Sequence, residues 1–262
     1  MSDVPPPLPP NVPSGSGWGG QAPPPPPGWG QEPGAGGMPG PSRFEAPEAI
    51  GYGWKAFRAD PAPLVVAALI VLLVPAAVQL FGNLVAGGNF FEFEADGNGV
   101  DFDLNPLALI FNILGSFIGM LLAAAMVRLV LDVVDGNEVS VGAMFSRFDM
   151  VQVVIAAVVL SIAITVGILL CFLPGLLVLF FTFFTNYFIV GKGQDAITAI
   201  KSSVSLVSDN FGAVLLLAVL AFLCMIGGII ACCIGILVAY PVVTLATAYG
   251  FRTLQGEPVK PV

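Results

Sequence analysis

Four carboxylates at alternating positions, Glu92 and Glu94 followed by Asp101 and Asp103, are the densest set of hard oxygen donors in the chain. Carboxylates gathered this way can hold a cation such as Ca²⁺, which is bound through oxygen. The spacing is not that of an EF-hand loop, because Asp96-Gly97-Asn98-Gly99-Val100-Asp101 carries an acid where that loop needs glycine at its sixth place. The competing reading is a solvated strand face whose charges keep the segment in water, and the spacing favours it.

Sulfur is the second chemistry. Cys171 and Cys232 stand near equivalent ends of two apolar runs, with Cys233 beside the latter. A disulfide between Cys171 and Cys232 would form on an oxidising face of a membrane. The alternative is a set of buried thiols packing as small apolar groups, which is also how Cys224, within an apolar run, is read.

Histidine is absent from all 262 residues. That removes the commonest metal ligand and general base, and with them any Ser-His-Asp or Cys-His arrangement. No catalytic residue and no cofactor site is expected. Nine Lys and Arg against 17 Asp and Glu give a net charge of −8, which offers nothing to a nucleic-acid backbone.

The elements that carry these residues are membrane helices. Mean hydropathy is +0.92 and only 10% of residues are charged, against about 25% in soluble domains. The apolar runs after residue 60 are long enough to cross roughly 30 Å of hydrocarbon, and six segments are predicted in them at about 63–84, 106–131, 150–172, 175–190, 211–231 and 234–251. The split between the third and fourth is placed at Leu173-Pro174-Gly175 and that between the fifth and sixth near Cys232-Cys233-Ile234-Gly235. The N-terminus has no basic and apolar leader, so the first apolar segment itself is expected to start insertion.

All nine cations, Arg43, Lys55, Arg58, Arg128, Arg147, Lys192, Lys201, Arg252 and Lys260, fall on one side of this six-span reading. The positive-inside rule then puts both termini in the cytoplasm of a cell (inner) membrane. The acidic loop 85–105 lies on the other side, and its two alternating stretches flanking a Gly-Asn-rich turn predict a β-hairpin. Residues 1–46, with PPPLPP, PPPPP and two Gly-Trp-Gly units around Trp18 and Trp29, read as a disordered Pro/Gly-rich tail ahead of a membrane domain at 47–255.

A weak repeat runs through the domain. A shift of 61 aligns Gly167 with Gly228, Ile168 with Ile229, Cys171 with Cys232 and Leu176 with Leu237. Each hairpin is preceded by an amphipathic stretch: Ile50, Trp54 and Phe57; Val141, Phe145 and Phe148; Ile197, Ile200, Val204 and Val207. The fold class is therefore an all-α integral membrane protein, three hairpins each introduced by an interfacial helix. Gly115, Gly119 and Ala123 share a face suited to close packing within the bundle. Arg128 and Asp132 at i, i+4 read as an anchoring pair at a span end.

Leu173-Pro174-Gly175 opening an aromatic-rich helix, then Asp195-Ala196, Ala199-Ile200, Ser203 and Asn210-Phe211, resembles a group of uncharacterised bacterial multi-pass proteins. That group is related to the membrane domain fused to some glycerophosphodiester phosphodiesterases. With its tail the chain is most similar to the actinobacterial proline- and glycine-rich transmembrane proteins. The resemblance implies six membrane helices and no established activity. The phosphodiesterase reaction belongs to a separate soluble domain that uses histidines, and is not implied.

No Asp, Glu, Lys or His lies near the middle of a predicted span, which argues against a coupled pump. The sequence points to a non-enzymatic structural, assembly or regulatory protein that meets the lipid bilayer and recruits protein partners through its tail. The alternative is a channel or uncoupled small-solute transporter. Oligomeric state is not legible. For the acidic loop, a solvated face predicts that Ca²⁺ leaves the Trp fluorescence and melting temperature of purified protein unchanged. A Ca²⁺ response lost in Asp101→Asn, Asp103→Asn would instead establish the cation site.

Overall fold

A computed structural model describes residues 44–89, 91–96, 99–137, 140–145, 149–170 and 172–261. For 91–96, 99–104, 143 and 232–234 it describes the backbone alone. The proline-rich tail expected at 1–46 falls, but for Phe44, Glu45 and Ala46, outside these residues.

Helix α1 (Ala46–Ala59) is followed by α2 (Pro61–Ala86), whose Pro61 and Pro63 sit in the first turn where no backbone N–H is lost, with Pro75 inside the helix. Gly87, in the left-handed region at φ 76°, ends α2. Strands β1 (Phe91–Asp96) and β2 (Gly99–Leu104) pair antiparallel, and then α3 (Pro106–Asp135) begins. Its N-cap, Asn105, accepts from the N–H groups of Leu107 and Ala108 and donates to the Ala86 carbonyl at 3.0 Å, tying the two helix ends together beneath the hairpin. Next come a single 3₁₀ turn (Ala143–Phe145), α4 (Met150–Leu170), α5 (Phe172–Phe181), α6 (Thr185–Lys192), α7 (Ala196–Asp209), α8 (Phe211–Ile230) and α9 (Cys232–Leu254).

Among the described residues, six helical stretches are long and apolar enough to cross a bilayer, with α5 and α6 together forming the fourth. The chain is an all-α integral membrane protein built as three antiparallel hairpins, α2–α3, α4–α5/α6 and α8–α9. Amphipathic α1 and α7 introduce the first and third. Before the second, the described residues hold only the one-turn 3₁₀ segment, shorter than the spacing of Val141 and Phe145 suggests.

Each introducing segment packs on the hairpin before it rather than on the one it leads into. The 3₁₀ turn lies on α3, α7 on α4, α5 and α6, and α1 on α9 and α8. The last of these contacts closes the series into a ring, because the first introducer meets the last hairpin.

Burial divides every span in two. Within the halves nearest α1 and α7, Leu64, Ala67 and Val71, then Leu122 to Val134, Val153 and Ala156, Phe184 to Val190, Val214 and Leu217, and Val242 to Phe251 form one shared core. The other halves expose Leu80, Leu84, Ile110, Ile113, Leu169, Leu170, Phe222 and Ile230. Exposed apolar side chains there are what a bilayer accepts, since lipid tails are as apolar as leucine.

In those halves small residues hold each hairpin together. A Cβ added to Gly167 would come within 2.7 Å of Gly175 N, and one on Gly228 within 2.9 Å of the Gly235 carbonyl. The two glycines that the 61-residue shift aligns thus do the same work. Gly115 and Gly119 face Pro75 and Gln79 of α2, so the close packing expected of them is made inside the chain.

The ring closure relies on one glycine. A Cβ at Gly53 would strike the Val242 carbonyl and stand 3.1 Å from Ala246 N, both backbone atoms of α9. Nothing lies within 4 Å of a Cβ at Gly51 on the free face of the same helix. Gly53→Ala is therefore expected to cost about 1–3 kcal/mol through overpacking. Gly51→Ala should be neutral or stabilising by roughly 0.5–1 kcal/mol. Paired thermal melts in detergent check the contrast; equal melting temperatures would show that α1 does not dock this closely.

Candidate functional site

Two polar arrangements stand out from the apolar body, both at the end of the bundle where the spans converge. The first joins three helix ends to the C-terminal segment. Asp135 closes α3, Lys192 closes α6 and Arg252 lies in the last turn of α9. The Arg252 guanidinium grips Asp135 with two parallel bonds, Nε to Oδ1 at 2.9 Å and Nη2 to Oδ2 at 2.6 Å. Its third nitrogen, Nη1, reaches Glu257 Oε2 at 2.6 Å, and Lys192 Nζ meets Glu257 Oε1 at 2.9 Å. Phe251 lies beneath both cations, 5.7 Å from the guanidinium carbon and 5.9 Å from Nζ. A bidentate pair shared with a second carboxylate fixes geometry in a way a lysine point charge does not.

The C-terminal segment is held by its backbone as well. Lys260 N donates to the Val134 carbonyl at 3.0 Å, and the Tyr52 phenol of α1 donates to the Lys260 carbonyl at 3.1 Å. Burial, reinforced by Tyr249 and by the charge of Asp135, pushes the Tyr52 phenol up to about 12, so it remains a neutral donor. Partial burial would raise the Glu257 carboxyl, but hydrogen bonds from Lys192 and Arg252 outweigh it and hold the group below the ordinary range. Close by, Arg128 pairs with Asp132 at 2.9 Å across one helical turn, as its spacing predicts.

The second arrangement is a break in the fourth span. The sequence predicts an unbroken helix over 175–190; the structure opens it at residues 182–184. Ser203 of α7, fully buried, fills the gap: its hydroxyl donates to the Phe181 carbonyl at 2.9 Å and accepts from Phe184 N at 3.1 Å. α7 is in turn capped by Asp195, which takes the Thr198 N–H, and its first N–H is taken by Gln152 of α4. The Thr185 hydroxyl and the Gln194 amide oxygen are buried with no hydrogen-bond partner among the described residues.

The carboxylates and cysteines that the sequence singles out lie apart from both arrangements. Strand register pairs Glu92 with Asp103 and Glu94 with Asp101, so all four acids share one face of the hairpin, opposite Phe93 and Phe102. Their side chains lie outside the described residues. So do Cys171 and the side chains of Cys232 and Cys233, and with them the disulfide; Cys224 is a free, half-buried thiol. Among the described residues no three His, Cys, Asp or Glu gather where a metal could bind. Sequence reasoning missed the Arg252 cluster and the Ser203 bridge. The signal for the first was Glu257 five residues after Arg252; a serine on an amphipathic face gives none.

The paired cluster is a clasp, and each carboxylate oxygen it contains meets a cation.

No family model matches the chain, and no solved structure matches it. The chain is similar to uncharacterised proteins of Mycobacterium: Rv2560 of Mycobacterium tuberculosis and Mb2590 of Mycobacterium bovis, each 28% identical over 230 residues. The alignment covers 83% of this chain and 71% of each relative.

Arg252→Ala leaves Asp135 and Glu257 without their shared donor and is expected to cost about 1–3 kcal/mol, in keeping with charged hydrogen bonds at a partly exposed site. The Glu257 carboxyl titrates lower in the folded chain than unfolded. Its contribution is therefore complete above pH 4.5, the ordinary value, and fades as the pH falls below it. Melting temperatures of the native chain and Glu257→Gln should converge as the pH is lowered from about 6 towards about 3; a constant gap would remove Glu257 from the clasp.

Proposed function

We propose that this chain is a non-enzymatic membrane scaffold, seated in the cell membrane with its clasp and both termini on the cytoplasmic side. The observation that carries this reading is the shared core. Where the spans converge, Met126, Leu129, Val130, Phe184, Leu245 and Phe251 are buried against one another. The buried polar residues described there are Asp132, Thr185, Ser203 and Thr247. Three of them hydrogen-bond within the protein: Asp132 to Arg128, Ser203 across the helix break, and Thr247 to the Val243 carbonyl of its own helix. A conducting path needs polar groups aligned along the bundle and free to meet a solute, so this packing speaks for assembly over transport. The cation distribution supports the orientation, and the Pro-rich segment offers pre-formed extended ligands for aromatic grooves.

In-cell crosslinking followed by pulldown, comparing the full chain with one lacking residues 2–46, tests the role. Partners captured by the full chain are expected to be lost on deletion; identical partner sets would remove the tail from recruitment. Solute flux in proteoliposomes is expected at background, and flux above it would favour the channel reading.

A further inference from the structure

An apolar groove of about 240 Å³ runs along the flank of the last hairpin. α8 and α9 supply its floor with Cys224, Gly227, Ala231, Gly235 and Val238, and Trp54 of α1 makes one wall. The groove exists because the floor lacks side chains: nothing lies within 4 Å of a Cβ placed on Gly227. Trp54 is 47% exposed, so the groove opens sideways from helices that cross the bilayer. Hydrocarbon is what reaches such a position.

The charges beside it specify which hydrocarbon. Arg58 stands one turn beyond Trp54 at i+4, on the same flank of α1, and Lys55 neighbours Arg58 at i+3. Both are exposed, and neither is in an ion pair among the described residues. Arg128, Lys192 and Arg252 do find such partners. Arg58 also lies within a turn of Pro61, the first residue of α2. α2 runs antiparallel to α3, with Gly115 against Gln79 and Gly119 against Pro75, so its start lies beside the Asp132–Asp135 end of α3. The two cations therefore stand where a span enters the membrane, on the helix whose Trp54 walls the groove.

We propose that this groove is a binding site for an anionic phospholipid, one acyl chain running from Trp54 and Val238 towards Gly227 and the phosphate held by Lys55 and Arg58. The unneutralised cations select an anionic headgroup, and the groove requires that the anion carry a tail, which a free phosphate lacks. The site depends on the membrane placement of the helices and not on the scaffold role, so a failed pulldown leaves it standing.

The test uses the full chain with Trp18→Phe and Trp29→Phe, which leaves Trp54 as the single tryptophan, in nanodiscs. Phosphatidylglycerol or phosphatidylcholine brominated on the acyl chain is included at equal mole fraction. Quenching of Trp54 is expected to show an apparent preference of about fivefold or more for the brominated phosphatidylglycerol, roughly the worth of one basic residue at a charged surface. Lys55→Gln, Arg58→Gln should abolish the preference. Gly227→Leu, whose Cβ meets no neighbour, should fill the groove and protect Trp54 from both lipids. Equal quenching by the two lipids, or a preference that survives loss of both cations, overturns the proposal. So does a change in oligomeric state with Gly227→Leu, which would make a second copy of the chain the occupant.

Discussion

How closely α1 can approach α9 governs the rest of the structure. With glycine at position 53, the backbone of α1 lies directly on the Val242 carbonyl, and Ala46, Ala49 and Ala56 continue a smooth contact face. Tyr52 can then reach past Tyr249 to the C-terminal segment, which in turn presents Glu257 to Arg252 and Lys192. Hold α1 a few ångströms away and the segment loses its donor and the clasp its positioning. A single missing methyl group thus links an apolar contact to an ionic one.

The two halves of the molecule are held by different contacts. The converging halves bury Phe, Leu and Met side chains against one another, and this close packing supplies dispersion that lipid would not match. The diverging halves leave their large side chains to lipid, which is as apolar as they are. There glycine-to-backbone contacts at Gly167–Gly175 and Gly228–Gly235 supply dispersion in place of a hydrophobic drive. The spans are apolar along most of their length, yet the shared core occupies only one end of them.

Much of this is legible in the chain itself. Apolar run lengths locate the spans, Pro61 and Gly87 mark the ends of α2, and the one-sided cations mark the converging end. The shift of 61 residues makes Gly167 and Gly228 equivalent with no knowledge of their contacts. The pairing of each introducing segment with the preceding hairpin is not legible, because an amphipathic face says that a partner exists and not which one. The break at 182–184 is hidden for a related reason. Within 175–190 the polar Thr182, Thr185 and Asn186 stand at the break without locating it, and what bridges it is Ser203, whose hydroxyl lies 22 residues from one partner and 19 from the other. Clasp geometry likewise depends on contacts such as Arg252 to Asp135, 117 residues apart.

The closed ring has a bearing on how the protein is made. α1 leaves the ribosome before any other described helix, yet its seat on α8 and α9 is the last to be synthesised, and Tyr52 meets a carbonyl 208 residues downstream. At about 5–20 residues per second, the first helix waits roughly 10–40 s for its partner to exist. During that time an apolar face containing Ala49, Tyr52 and Phe57 has only the membrane surface to rest on. Its amphipathic pattern, which at the end of folding serves a protein contact, serves until then as a mooring.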